Sequence, residues 1–174
     1  MRIELFGAPA MRIGEERFEH RSRKTMALLA YLAMRADEHL PRSHLAALLW
    51  GDSGEEQARA NLRQTLSQLR KLFKQAGHDP IMVPFDKVVL ASDGITIDAR
   101  SVLNGGMEIE PRMLAAWPDF LEGFSVGAPE FDRWMAAQRS AIQSRLIDGL
   151  EKAASDAARK NNHAAASDNL SLIH

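Results

Sequence analysis

The sequence predicts an α+β domain at the N terminus, followed by an all-α region. Short alternating segments punctuated by glycine and proline come first, three helical patterns follow, and an apolar hairpin pattern comes next. From about residue 112 the pattern is helical throughout. The first part has the order of a winged helix, a helix-turn-helix with a small N-terminal sheet and a C-terminal wing hairpin. We therefore predict one domain at residues 1–97 and a second at 98–174.

The N-terminal sheet is predicted from short segments in which apolar and polar residues alternate. RIELF, MRI and ERF fit strands at residues 2–6, 11–13 and 16–18. The punctuating residues are Gly7, Pro9 and Gly14.

Three helices follow, each identified by apolar residues spaced three and four apart. We place them at residues 23–36, 42–50 and 55–76. Ser22 is the expected N-cap of the first helix, and Gly77 is a suitable residue to follow the end of the third. The third helix is the longest, and its apolar face is formed by Ala58, Leu62, Leu66, Leu69 and Phe73.

A hairpin is predicted within residues 81–97, because IMVPF and KVVLA flank Asp86. The segment ITI follows Asp93 and Gly94 and suits a third strand. In a winged helix this hairpin is the wing, whose tip would here be Phe85-Asp86-Lys87.

The second domain is predicted to be helical after a break at Asn104-Gly105-Gly106. Its clearest helix covers residues 129–155, with Pro129 in the first turn. A further helix is expected at 156–173, interrupted near Asn161-Asn162. We expect its core to contain the aromatic residues Trp117, Phe120, Phe124, Phe131 and Trp134.

Composition limits the chemistry. The chain has no cysteine, so disulfides, thiolate zinc sites and cysteine nucleophiles are excluded, and a reducing cytoplasm is the expected location. No signal peptide and no apolar run long enough to span a membrane are present. The six histidines show no metal-ligand spacing, and no catalytic constellation is visible. We therefore expect a non-enzymatic protein without cofactor or metal.

Charge distribution indicates double-stranded DNA as the partner. Residues 1–80 contain 13 Lys/Arg and 10 Asp/Glu, whereas residues 101–174 contain 7 and 10. Between residues 59 and 74 there are five basic residues and no acidic one. A recognition helix needs a polar face for the major groove, where Arg reads guanine and Gln reads adenine. Arg70 is ambiguous, since it can instead pack its stem or pair with an acid. The candidate DNA-binding residues are Arg59, Asn61, Arg63, Gln64, Ser67, Gln68, Lys71 and Lys87.

The sequence also resembles a known family. LLWG at 48–51 followed by LRQTLSQLRKLF at 62–73 is similar to the winged helix of response regulators. The longer series LFG, RIG, RSRKTMALLAYLAM, LPRSHLAALLW and ARANLRQTLSQLRKLF resembles activators of the antibiotic-regulatory-protein type. That family joins this winged helix to a bacterial transcriptional activator domain, a tetratricopeptide-like helical array. The segments FLEGF and EFDRWMAAQRSAIQSRLIDGLEKAASDAARKNNHAAA are similar to its beginning.

The resemblance implies a transcriptional activator that contacts RNA polymerase and binds direct repeats as a homodimer. It also implies that Trp50, otherwise a core residue with an exposed edge, helps to hold the phosphate backbone. The helical array stops after about one repeat, so we expect it to be truncated at residue 174. The chain differs from the family at residues 101–116, where Asn-Gly-Gly stands in place of a helix, and at Gln64, Thr65 and Gln68, where basic residues are usual.

A second hypothesis is a protein-interaction module within a larger signalling protein or enzyme, because winged helices also serve as interaction folds. The basic face at 59–74 is the feature that distinguishes the two hypotheses, since an interaction surface would be expected to carry acidic residues or a large apolar patch there.

Overall fold

The computed structural model describes residues 1–105 and 118–171. Its strands are β1 (Arg2–Glu4), β2 (Ala10–Ile13), β3 (Glu16–Phe18), β4 (Leu40–Pro41), β5 (Ile81–Met82), β6 (Lys87–Leu90) and β7 (Thr96–Ile97). Its helices are α1 (Arg23–Met34), α2 (Arg42–Trp50), α3 (Glu55–Gln75), α4 (Asp98–Leu103) and α5 (Pro129–Ser171).

The N-terminal sheet has the order β3-β2-β1-β7. The first three strands form an antiparallel meander, with Ile3 opposite Met11 and Met11 opposite Phe18. The fourth strand pairs in parallel with β1, so that Ile3 also lies opposite Ile97. The prediction that ITI forms a third strand of the wing is therefore wrong, because this strand, β7, pairs with β1 in the N-terminal sheet.

The three helices of the first domain pack into one apolar core. Helix α1 is buried along nearly its whole length, and the Ser22 hydroxyl caps it by accepting a hydrogen bond from the Thr25 amide. Helix α3 ends in a Schellman motif: His78 N–H donates to the Phe73 carbonyl, and Gly77 N–H donates to the Lys74 carbonyl. Gly77 has a φ of 78°, a left-handed conformation that favours glycine.

The wing is a three-stranded antiparallel sheet of order β4-β6-β5. Strand β4 immediately precedes α2, so its pairing of Leu40 with Val88 attaches the wing to the start of that helix. The Arg42 amide adds a hydrogen bond of 2.8 Å to the Asp86 carbonyl. These backbone contacts thus fix the position of the wing next to α2.

Helix α4 begins directly after β7 and contacts the N-terminal sheet. The Asp98 carboxylate accepts hydrogen bonds from the Leu5 amide at 2.9 Å and the Phe6 amide at 3.3 Å. Burial raises the pKa of Asp98, an effect that the hydrogen bonds from the amides oppose. These contacts cross the boundary between residues 97 and 98, and the division into two domains stays a prediction.

Residues 118–128 form turns and not the helix expected from residue 112, while residues 106–117, including Trp117, lie outside the described residues. Gly123 and Gly127 have φ values of 63° and 62°, which no α-helix accommodates. Within this segment Phe120 forms an antiparallel bridge with Phe6.

Helix α5 is one continuous helix, so the expected interruption near Asn161-Asn162 is wrong. Relative to alanine, each asparagine in a helix costs only about 0.7 kcal/mol at most. The alanine-rich segments on either side favour helix, so the two asparagines do not interrupt it. The aromatic core is confirmed for Phe120, Phe124 and Phe131, which are buried, and the half-buried Trp134 packs against it.

Helix α5 rests on the helical side of the first domain. The Trp134 and Tyr31 rings lie 4.8 Å apart between centroids, and the Tyr31 hydroxyl is 2.7 Å from His44 Nε2. The two parts of the chain therefore share one apolar core. Among the described residues, no helix is both long and apolar enough to cross a membrane.

Candidate nucleic-acid interface

The outer face of α3 carries the polar residues selected from the sequence. Its inner face, which includes Leu62, Leu66 and Leu69, is buried against the rest of the domain. Because α-helical residues repeat about every 3.6 positions, the side chains between these anchors face outward. Arg59, Arg63, Gln64, Ser67 and Lys71 are all exposed.

Three of the candidate DNA-binding residues on α3 form contacts within the part of the protein that the structure describes. Gln68 is half-buried, and its Oε1 accepts a hydrogen bond of 2.8 Å from the hydroxyl of the fully buried Thr25. Asn61 accepts a hydrogen bond from Gln57, and Arg59 forms an ion pair with Glu55 at 2.6 Å. Gln68 therefore helps to fix α3 on α1, which the sequence could not show because Thr25 lies 43 residues away.

Arg70 is paired with an acid, one of the alternatives left open by the sequence. Its Nε lies 2.9 Å from Asp79 Oδ2, in the loop between α3 and the wing. The Asp79 side chain is mostly buried and also accepts a hydrogen bond from the Ile81 amide. This pair orients the start of the wing relative to α3.

A basic cleft of about 400 Å³ lies between α3 and the wing. Of the eight described residues that line it, none is acidic and five are cationic, namely Arg42, Arg63, Arg70, Lys71 and Lys74. Among the described parts of the chain, only Arg70 of these five forms an ion pair. The cleft is open and positive, which suits a phosphate backbone better than an enclosed small molecule.

Arg42 is the residue that sequence reasoning missed. It occupies the first position of α2, where β4 and the wing meet, and it lines the basic cleft together with a smaller one. The smaller cleft, of about 320 Å³, also contains Arg59, Arg63 and Asp86. The only local signal was a cation at the start of a helix, which is not specific.

The tip of the wing is a tight turn with an apolar side chain at its apex. Lys87 N–H donates to the Pro84 carbonyl, so Phe85 and Asp86 occupy the two central positions. Phe85 has a φ of 54° and its ring is fully exposed. A bulky residue in the left-handed region costs on the order of 1–3 kcal/mol. Lys87 is exposed, as expected from the sequence.

Trp50 lies at the end of α2, half-buried, and lines neither cleft. The Lys24 ammonium lies 5.5 Å from the centroid of its ring and donates to the Leu49 carbonyl. Burial lowers the pKa of Lys24. These contacts place a cation at the C-terminal end of α2, where the helix dipole favours it.

These features define a class, a winged-helix domain with a basic recognition-helix face and a helical region attached. Comparison with known proteins agrees: residues 15–84 match the family described as transcriptional regulatory protein, C terminal. This segment contains α1, α2, α3 and the first strand of the wing hairpin, β5, and it confirms the predicted winged helix. The chain therefore carries a winged-helix domain of the kind found in transcriptional regulatory proteins.

Among solved structures, the fold is similar to that of Mycobacterium tuberculosis EmbR in complex with a low affinity phosphopeptide. The TM-score is 0.60 and the sequence identity is 21%, with 86% of this chain and 43% of that chain covered. The present chain thus spans less than half the length of that protein. At this identity the likeness shows a shared fold, and that fold agrees with the winged helix and attached helical region expected from the sequence. A search of curated proteins gives no match.

Proposed function

We propose that this protein regulates transcription by binding specific sequences of double-stranded DNA, with α3 in the major groove. The exposed face of α3 beside the acid-free basic cleft is the observation that carries the proposal. In this arrangement Arg63 and Gln64 read base edges, since both are exposed in the first half of α3. Arg42, Lys71 and Lys74 hold phosphates along the cleft.

Charge supports DNA over a protein partner for this surface. An interaction surface that excluded nucleic acid would present acids or a broad apolar patch, whereas Asp86 is the only acid among the described residues that line the two clefts. The pairing of Arg59 with Glu55 is exposed to solvent, and such pairs contribute little, so a phosphate can replace the carboxylate.

Three finer elements of the proposal rest on the family resemblance. The protein acts as an activator, it contacts RNA polymerase, and two copies bind direct repeats. We also propose that it works by binding and not by catalysis, in the cytoplasm. Among the described residues, no group of three or more His, Cys, Asp or Glu side chains is placed to hold a metal ion.

Selection of bound sequences from a random DNA pool, followed by a salt titration on the recovered duplex, tests the proposal. The phosphate-binding cations of the cleft, together with Arg59 and Lys87, predict about four to six phosphate contacts per subunit. Each contact contributes about 0.9 to the slope of log affinity against log salt. We expect an enriched sequence and a slope between about −3.6 and −5.4 per bound subunit. If no sequence is enriched from the pool and binding to duplex DNA does not depend on salt, DNA is refuted as the partner and the protein-interaction hypothesis is favoured.

A further inference from the structure

The apex of the wing combines two features that folding stability alone does not account for. Phe85 occupies a central turn position with positive φ, where glycine is preferred. Its ring is fully exposed and contributes no burial to the fold. Glycine at this position would relieve the backbone strain and remove an exposed apolar surface. In the free protein, therefore, Phe85 is unfavourable on both counts.

The rest of the tip does not suit an electrostatic contact. Residues 83–86 read Val-Pro-Phe-Asp and contain no cation, and the Asp86 carboxylate would be repelled by a phosphate. Lys87 is the first basic residue and lies on the strand below the apex. Met82, on the opposite strand, is another exposed apolar side chain. The apex is thus apolar, and the cation Lys87 follows it at the start of β6.

The position of the apex relative to α3 identifies what it meets. Asp86 shares a cleft with Arg59 and Arg63, so the turn lies beside the first half of α3. The Asp86 carbonyl is held by the Arg42 amide, which fixes this placement. With α3 in a major groove about 12 Å wide, a hairpin beside its first half reaches the neighbouring minor groove.

We propose that Phe85 is an apolar wedge that enters the minor groove of duplex DNA at a base step, unstacks it partly and bends the duplex. This inference rests on the proposed DNA binding and adds a specific mode of contact to it. Aromatic and aliphatic side chains that enter the minor groove open base steps and bend DNA toward the major groove. Pyrimidine–purine steps deform most easily, so the wing selects such a step without hydrogen bonds to its bases.

The test uses the full chain, a 30-bp duplex recovered by selection, and dyes at the two ends that report bending by energy transfer. Phe85→Ala removes the ring, and Phe85→Leu keeps an apolar wedge. Ile147→Ala is the matched control, because Ile147 is an exposed apolar residue of α5 distant in sequence from the wing. Phe85 is fully exposed, so neither of its substitutions removes a contact of the core. Unfolding in urea confirms that all variants are folded.

We expect Phe85→Ala to weaken binding about tenfold or more and to reduce the energy transfer toward that of free DNA. Phe85→Leu should retain most of the affinity and most of the bending, and Ile147→Ala should change neither quantity. The salt slope of each variant should equal that of wild type. If Phe85→Ala keeps wild-type affinity and bending while wild type binds the duplex, the wedge is refuted and the apex is assigned to a protein partner. Weaker binding with unchanged bending also refutes the wedge. Failure of wild type to bind any duplex refutes the proposed function itself.

Discussion

Replacing Arg63 and Lys71 by alanine, one at a time, separates reading of the sequence from attachment to the backbone. Both side chains are exposed on α3, and neither forms an ion pair among the residues that the structure describes. Truncation therefore removes an outward cation without leaving a buried charge, and the free energy of unfolding should change by no more than about 0.5 kcal/mol. Any loss of DNA affinity then belongs to the interface.

The two positions differ in location, which sets the expected magnitudes. Arg63 lies in the first half of α3, on the side near the wing, and lines both clefts. Lys71 lies two turns further along the helix and lines only the wider cleft. A paired hydrogen bond from Arg to guanine is worth about 1–3 kcal/mol of discrimination, or about fivefold to 150-fold. A phosphate contact carries no direct sequence information, and its loss lowers the salt slope by about 0.9.

Affinity is measured for the selected duplex and for a shuffled duplex at one fixed salt concentration. Arg63→Ala should reduce the ratio of the two affinities by about fivefold or more, and Lys71→Ala should leave the ratio unchanged while weakening both. Gln64→Ala is expected to behave like Arg63→Ala, and Lys87→Ala like Lys71→Ala. The placement of α3 in the major groove is contradicted if Arg63→Ala and Gln64→Ala both retain the wild-type ratio.

Two further predictions concern stability. At Gly77 an added Cβ would meet no atom of the described residues within 4 Å, but alanine must hold a φ of 78°, so urea denaturation of Gly77→Ala should show a loss of about 1–2 kcal/mol in the free energy of unfolding. An unchanged midpoint would show that the Schellman turn relaxes at no cost. Burial raises the pKa of Asp98 above its usual value of 3.8, so the native state binds the carboxyl proton more tightly than the unfolded state does. The stability that Asp98 contributes therefore falls as pH rises from 3.8 through the native pKa. The unfolding free energy of wild type minus that of Asp98→Asn should therefore decrease across this interval, and an increase would reverse the assigned cause.

Local periodicity predicts the helices of the first domain and the face of α3 well. The spacing of Leu62, Leu66 and Leu69 fixes which side of α3 is buried, and the residues on the opposite side, such as Arg63, Gln64 and Ser67, are exposed by helix geometry. The caps at Ser22 and Gly77 are likewise local, since each depends on a few adjacent backbone groups.

What the sequence does not predict depends on partners that are distant along the chain. Gln68 is polar and lies at the margin of the apolar stripe, and only the packing of α1 supplies Thr25 as its partner. Arg42 becomes part of the site because β4 pairs with β6 and brings the wing beside α2. The strand β7 has an ordinary alternating pattern, and nothing in that pattern specifies a parallel partner at residues 2 and 3.

The pairing of β1 with β7 has a consequence for the order in which the chain acquires structure during synthesis. The strand β1 can pair with β2 as soon as residue 13 has left the ribosome, but its other edge waits for residues 96 and 97. The bridge from Phe6 to Phe120 and the hydrogen bond from Leu121 to Leu5 wait longer still. Contacts of such high sequence separation slow folding, because a long loop must close before they form. The first strand to be made is therefore among the last to be completed, and the wing and α3 are synthesised before the sheet that supports them is closed.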